Sequence, residues 1–209
     1  MPSTTRRHSP TEDRRPVVEA EILGATEQLL RDGHKFTDIG VRQIVEQAGV
    51  ARSSFYVSFR DKTDLLIRLA GTLKQQIFDF AKDWTPVGEN GGPETLTRVY
   101  LSMIQFYRQH GELLAAINEV ATYDHEVEQF WNSQLNRLTE LTASLIAGEQ
   151  AAGRTDSAIN PTVLAQVLTW DGDRVIARHV ATNDSANDAQ VARELAMVRW
   201  HGAYRRPQS

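Results

Sequence analysis

Apolar residues in this chain recur three or four positions apart almost from end to end, and nowhere alternate as the residues of a half-buried strand would. Val18, Ile22, Ala25 and Leu29 make the first such stripe, and Leu66, Leu69, Leu73, Ile77, Phe80 and Trp84 a longer one. Beyond them Leu96, Val99, Met103 and Phe106 share one helix face, and Val127, Trp131, Leu135, Leu138, Leu141 and Leu145 share another. A chain with this period buries its apolar side by packing helix on helix, so the fold class is all-α. Asn160 can cap and Pro161 can open a helix running to about Thr182, and a last helix is expected over roughly Ala186 to Tyr204. The segment TPVGENGGPET, through Pro86 to Thr95, gathers Gly, Pro and Asn and marks the best boundary between two domains.

Several function classes are excluded by what is missing. With no cysteine among 209 residues, disulfides, zinc-thiolate sites and thiol catalysis are ruled out. No apolar run approaches the ~18 residues of a membrane span, and the basic N-terminal residues have no apolar segment behind them. A cytoplasmic location with no membrane partner is the expectation. No Glu-x-x-His pair, Gly-x-Ser-x-Gly elbow, phosphate loop or dinucleotide fingerprint occurs, and only DHEVE at Asp124 to Glu128 places a histidine among carboxylates. We therefore expect no enzyme, no metal and no cofactor, with His125 a surface residue near a helix start. Net charge is −4, which argues against nucleic acid, but it is uneven. Residues 1–62 carry ten Lys and Arg against nine Asp and Glu, while residues 63–209 carry thirteen against eighteen.

The stretch VRQIVEQAGVARSSFYVSFRDKTDLL, Val41 to Leu66, turns abruptly polar at its centre. Val41, Ile44, Val45 and Ala48 mark one face of a short helix that Gly49 can end, because glycine takes the left-handed conformation without steric cost. A second short helix then starts near Ala51, burying Val50 and Phe55 and leaving Arg52, Ser53, Ser54 and Tyr56 outward. Two short helices about a glycine turn form a helix-turn-helix, whose second helix fits a DNA major groove. Small polar and cationic groups there can reach base edges, and Tyr56 a phosphate. Asp61 can cap a helix carrying Asp64 at its third position, placing Lys62 near the DNA backbone. Thr37 and Arg42 flank the first motif helix, where either can meet a phosphate and Thr37 can equally serve as an N-cap. Arg6, Arg7, Arg14 and Arg15 suit either an arm along the minor groove or a solvated tail.

From Phe36-Thr37 through Leu65, with Ile44, Ala48-Gly49-Val50, Phe55-Tyr56, Phe59, Lys62 and Leu65 in register, the chain resembles the DNA-binding domain of the TetR family of transcriptional repressors. FYRQH at Phe106 to His110, DGDR at Asp171 to Arg174 and Trp200 resemble the ethionamide-resistance-repressor branch. Two positions depart from the family pattern: Ala51 stands where Ser or Thr normally caps the recognition helix, forfeiting about 1 kcal/mol, and Val45 stands where Ala is common. Neither removes a DNA-facing group.

The resemblance implies a division into a basic arm (1–16), a helix-turn-helix domain (17–62), a linking helix (63–85) and an effector-binding and dimerisation domain (86–209). It implies double-stranded operator DNA, a small-molecule effector and a second copy of the chain as partners. The expected DNA-binding residues are Thr37, Arg42, Ala51, Arg52, Ser53, Ser54, Tyr56 and Lys62. For the largely apolar effector pocket the expected residues are Met103, Phe106, Tyr107, Asn118, Tyr123, Trp131, Gln134 and Trp170, any one of which is also readable as ordinary core. Asp171, Asp173 and Arg174 are candidates to anchor a polar effector atom or to form an ion pair. Val175, Ile176, His179, Leu195, Val198 and Arg199 are expected at the dimer interface, since one helix-turn-helix reads too few base pairs to be selective. A DNA-binding activator, an effector-independent regulator and a helical ligand-binding protein that never touches DNA are the alternatives.

Overall fold

The computed structural model describes residues 15–89, 91–182 and 184–207, apart from the side chains of Thr72, Lys74 and Gln134. The N-terminal arm proposed for residues 1–16 lies outside the described residues up to position 14, and Arg15 and Pro16 already belong to helix α1 (Arg15–Arg31). Among the described residues eight more α-helices follow: α2 (Val41–Ala48), α3 (Arg52–Ser58), α4 (Lys62–Ala81), α5 (Gly92–Gln109), α6 (Gly111–Val120), α7 (His125–Ala151), α8 (Pro161–Thr182) and α9 (Asp188–Arg199). A 3-10 turn leads into α9 and a π turn, Trp200–Tyr204, ends it. Among the described residues there is no strand.

Helices α1 to α3 close over a small apolar centre. Ile22, Ile44 and Phe55 are wholly buried there, and the Phe55 and Phe59 rings lie 5.4 Å apart. Each side chain of this size contributes about 1.5–3 kcal/mol by leaving water. Gly49 sits at φ 68°, and its amide and that of Val50 return to the Glu46 and Val45 carbonyls, so the chain reverses in one residue. Gly49→Ala should therefore cost about 1 kcal/mol from the left-handed backbone alone, read as a lowered midpoint in thermal unfolding of the whole chain.

Asp61 opens α4 by accepting from the Asp64 amide at 2.8 Å, and Asp64 accepts from the Arg60 amide at 3.0 Å, a reciprocal cap. Helix α4 packs against α5, α6 and α7, and its Arg68 reaches back to Glu19 of α1 at 2.7 Å. The Gly- and Pro-rich stretch after it is a tight corner: the Trp84 indole donates to the Gly92 carbonyl, and its ring stacks 5.0 Å from Tyr204. Helix α8 opens as its sequence predicts, with the Asn160 side chain accepting from the Val163 amide at 3.1 Å.

Candidate functional site

Helix α3 turns one ridge outward. Phe55 is fully buried while Tyr56 beside it is 53% exposed, and Ala51, Arg52 and Ser53 are exposed with Ser54 half-buried. The Arg52 guanidinium rides 6.0 Å above the Tyr56 ring, near the outer limit of a cation–π contact, so both polar tips stay available. Ala51 supplies no side-chain cap, and the turn is closed instead by the Ser54 amide on the Ala51 carbonyl at 2.9 Å. Arg42 is exposed and paired with Glu46 at 2.7 Å, a surface pair that yields readily to a stronger anion.

Lys62 and Thr37 are engaged differently from the sequence expectation. The Lys62 ammonium turns inward, donating to the carbonyls of Phe36 at 2.8 Å and Thr37 at 3.4 Å and lying 4.8 Å over the Phe36 ring. Burial pulls its pKa below the ordinary lysine value, partly offset by Asp38. Two of its three donors are thus committed within the protein, and only the third is left for a phosphate. Thr37 is not the cap of α2, since that position is Gly40, three residues on. Its hydroxyl donates to Glu119 of α6 at 3.4 Å.

That contact belongs to a polar seam joining the head to the larger helical body. The Thr63 hydroxyl donates to Asp124 at 2.8 Å, and Asp124 also caps α7 through the Glu126 and Val127 amides. Arg60 reaches Glu126 at 2.5 Å. The residues directly after the exposed ridge are therefore tied to the first turn of α7.

One turn farther along, α7 becomes the wall of a cavity of about 60 Å³. Trp131, Leu135, Leu138 and Leu145 of α7 face Ile77 of α4 and Val99, Tyr100, Met103 and Tyr107 of α5, while Thr169, Gly172, Asp173 and Ile176 of α8 form a floor closed by Arg199 and Tyr204. The lining is mostly apolar, with polar groups on this floor and at Tyr100, Tyr107 and Thr142. The Tyr107 hydroxyl donates to the Asp173 carboxylate. Burial first, and then the negative charge it faces, push the Tyr107 pKa well up; burial also raises Asp173, opposed by the Tyr107 hydrogen bond. Both Thr169 Oγ1 and Arg199 Nε are buried without a hydrogen-bond partner.

A helix-turn-helix head joined by one long helix to a hollow helical body is matched by the known proteins the chain is similar to. The sequence profile "Transcriptional regulator EthR, C-terminal domain" matches residues 96–201, and "Bacterial regulatory proteins, tetR family" matches residues 22–69. The chain belongs to the TetR family of transcriptional regulators. Within the family its likeness is to the EthR branch. The HTH-type transcriptional regulator EthR of Mycolicibacterium smegmatis is 27% identical over 166 residues, 78% of this chain and 75% of that protein. EthR of Mycobacterium tuberculosis is 23% identical over 200 residues, 95% of this chain and 91% of that one. In fold, the chain is similar to NalD, the secondary repressor of the MexAB-OprM multidrug efflux pump in Pseudomonas aeruginosa. That match has TM-score 0.70 at 17% identity, covering 92% of this chain and 100% of NalD. FadR from Bacillus subtilis, in complex with stearoyl-CoA, matches with TM-score 0.65 at 18% identity, covering 86% of this chain and 96% of that one.

For a TetR-family body, the residues expected around the cavity divide sharply. Met103, Tyr107 and Trp131 line it. Phe106 does not; one step along α5 from Tyr107, it packs edge-on against Phe80 and 4.6 Å from the His110 ring. Asn118 is exposed, because the buried face of α6 runs through Leu114 and Ile117, and Tyr123 sits on the turn after α6, 65% exposed. Trp170 is off the inward stripe of Thr169, Gly172, Asp173 and Ile176 and is 43% exposed. The Gln134 side chain lies outside the described residues.

Among the dimer candidates, Ile176 and Arg199 turn into the cavity, and His179 is buried against Asp188 at 2.8 Å; all three serve the protomer's own interior. Val175 and Val198 are exposed and Leu195 half-buried. Of the mid-helix trio, only Asp173 reaches the cavity, while Asp171 and Arg174 are exposed. Among the lining residues not expected there, Thr169 and Gly172 share the spacing i, i+3, i+4, i+7 with Asp173 and Ile176 along α8.

Proposed function

We propose that the chain represses transcription as a homodimer on a roughly palindromic operator and is released by a small, largely apolar effector that occupies the cavity between α4, α5, α7 and α8. The observation that carries this reading is the outward ridge of Arg52, Ser53 and Tyr56 standing on the fully buried Phe55. A second copy is supported by an unpartnered apolar row on α8, where Val163, Val167 and Trp170 are 55%, 58% and 43% exposed at four- and three-residue spacing, with Val198 of α9 61% exposed. Solvent does not favour such a row, and twofold pairing covers it. Reading successive major grooves then requires the two α3 helices to stand about 34–36 Å apart, one DNA turn. The repressing sense is supported by NalD, described as a secondary repressor.

Release follows from the polar seam. An effector that pushes α7 away from α5 moves the α7 cap at Asp124, and Thr63 and Arg60 move with it, carrying the reading head. For effective release the effector must prefer the non-binding arrangement by about 10² to 10⁴-fold, roughly 3–5.5 kcal/mol.

Binding to the chain's own upstream DNA at two salt concentrations, with the operator mapped by single-base variants, tests the reading. Affinity should fall steeply with salt, and Arg52→Ala should relax the choice of base at one operator position by about 1–3 kcal/mol. If Arg52→Ala weakens every variant equally, Arg52 meets a phosphate instead. If no sequence preference appears at all, α3 is not a reading helix.

A further inference from the structure

Three buried side-chain polar atoms among the described residues have no hydrogen-bond partner: Ser58 Oγ, Thr169 Oγ1 and Arg199 Nε. Two of the three border the same cavity. A buried polar atom left unpaired costs about 1–3 kcal/mol, so two of them on residues that border one hollow are the groups that gain most from partners brought by an occupant. Arg199 is also a cation without a carboxylate among the described residues; its contacts are the Tyr100 ring at 5.7 Å and a long bond from Nη2 to the Thr142 hydroxyl at 3.5 Å.

We propose that the effector of this chain is a compact apolar molecule ending in a carboxylate, with the acid group received by Arg199 Nε and the Thr169 hydroxyl and the hydrocarbon body lying against the α4, α5 and α7 walls. The inference rests on the reading of the cavity as the effector site and adds the chemistry of its occupant. Charge decides against an amine. The one acid on the floor, Asp173, already accepts from Tyr107 and has Arg174 as its neighbouring charge, whereas the guanidinium nitrogen is unclaimed. Size sets the class: about 60 Å³ against the ~10–15 Å³ that one water needs holds the equivalent of about four to six waters, suited to a short chain or small ring.

Hexanoate, hexanol and hexylamine are matched probes for the full-length protein, titrated by calorimetry or by chemical-shift changes. Hexanoate should bind at least tenfold more tightly than either of the others. Arg199→Met should remove most of that tenfold preference while hexanol binding changes little. Thr169→Val supplies the control against a merely structural role, because the two readouts move in opposite senses. Removing an unpartnered buried hydroxyl should raise the ligand-free Tm by about 2–4 °C, while hexanoate affinity falls several-fold.

Hexylamine binding as tightly as hexanoate, or hexanoate affinity unmoved by both substitutions, overturns the proposal. Equal binding of all three probes also overturns it but leaves the cavity as an effector site. If none binds, the proposal falls, and whether the cavity controls DNA binding is then decided without any ligand by filling it from Gly172.

Discussion

Arg108→Ala is expected to destabilise the protein by about 3 kcal/mol, the low end of the range for breaking a buried ion pair, because a quarter of the guanidinium side chain (23%) stays exposed. Arg108 of α5 donates to both oxygens of Asp188, at 2.6 and 2.7 Å, and to the Asp184 carbonyl at 2.7 Å. Asp188, 9% exposed at its side chain, also receives His179 at 2.8 Å. Removing the guanidinium strands a buried carboxylate at the start of α9 and unties α5, which carries one cavity wall, from α8 and α9. Thermal unfolding should show a Tm lower by roughly 6–12 °C.

The same network fixes a pH dependence. The Arg108 hydrogen bond above all holds the Asp188 carboxyl below its ordinary value of 3.8, against the opposing effect of burial. A carboxylate with a depressed folded-state pKa contributes stability that is complete above its unfolded value and is lost as pH falls through the folded one. The destabilisation by Arg108→Ala should therefore be full at neutral pH and shrink in the acid range below about pH 4, where wild type loses the same contribution. A constant difference down to pH 2 would mean that Arg108 acts by packing alone.

Period and capping are local properties, and where they decide an element the residues announce it. Asn160-Pro161 opens α8, Asp61 with Asp64 opens α4, and Gly49 closes α2, all as the sequence predicts. The outward ridge of α3 is equally local, because burying Phe55 leaves no other direction for Arg52 and Tyr56 on so short a helix. What the residues do not carry is the rotation of each long helix in the body. Aromatic character pointed to Trp170 and Tyr123, yet one residue along a helix is 100° of turn, and it is Thr169 and Gly172 that face the cavity. The short α6 is likewise unmarked, because His110 at its start makes no side-chain cap and no proline separates it from α5. Lys62 shows the remaining gap: its stem reaches either a phosphate or the Phe36 carbonyl, and only the packing of the α1–α2 connection selects.

The cavity's control over the head can be tested with no effector at all. Gly172 lies mid-way along α8 on the cavity floor, and a Cβ added there meets only the ring edge and hydroxyl of Tyr100, both at 3.7 Å, ordinary contacts. Leucine in that position removes the roughly 1 kcal/mol penalty of a helical glycine, which offsets part of the about 1–3 kcal/mol cost of crowding the hollow, so the variant should still fold. Its side chain takes the volume an effector would take and presses α8 and α5 away from α7. If occupancy is transmitted through Asp124 and Glu126 to Thr63 and Arg60, Gly172→Leu should lower operator affinity by about 10²-fold, the smallest shift that makes release effective. Gly172→Ala is the matched control, with the helix gain and too little bulk to fill the space, and should bind operator within about twofold of wild type. A Gly172→Leu protein that is folded, no longer binds small molecules and still holds its operator as tightly as wild type would separate the cavity from the DNA-reading function.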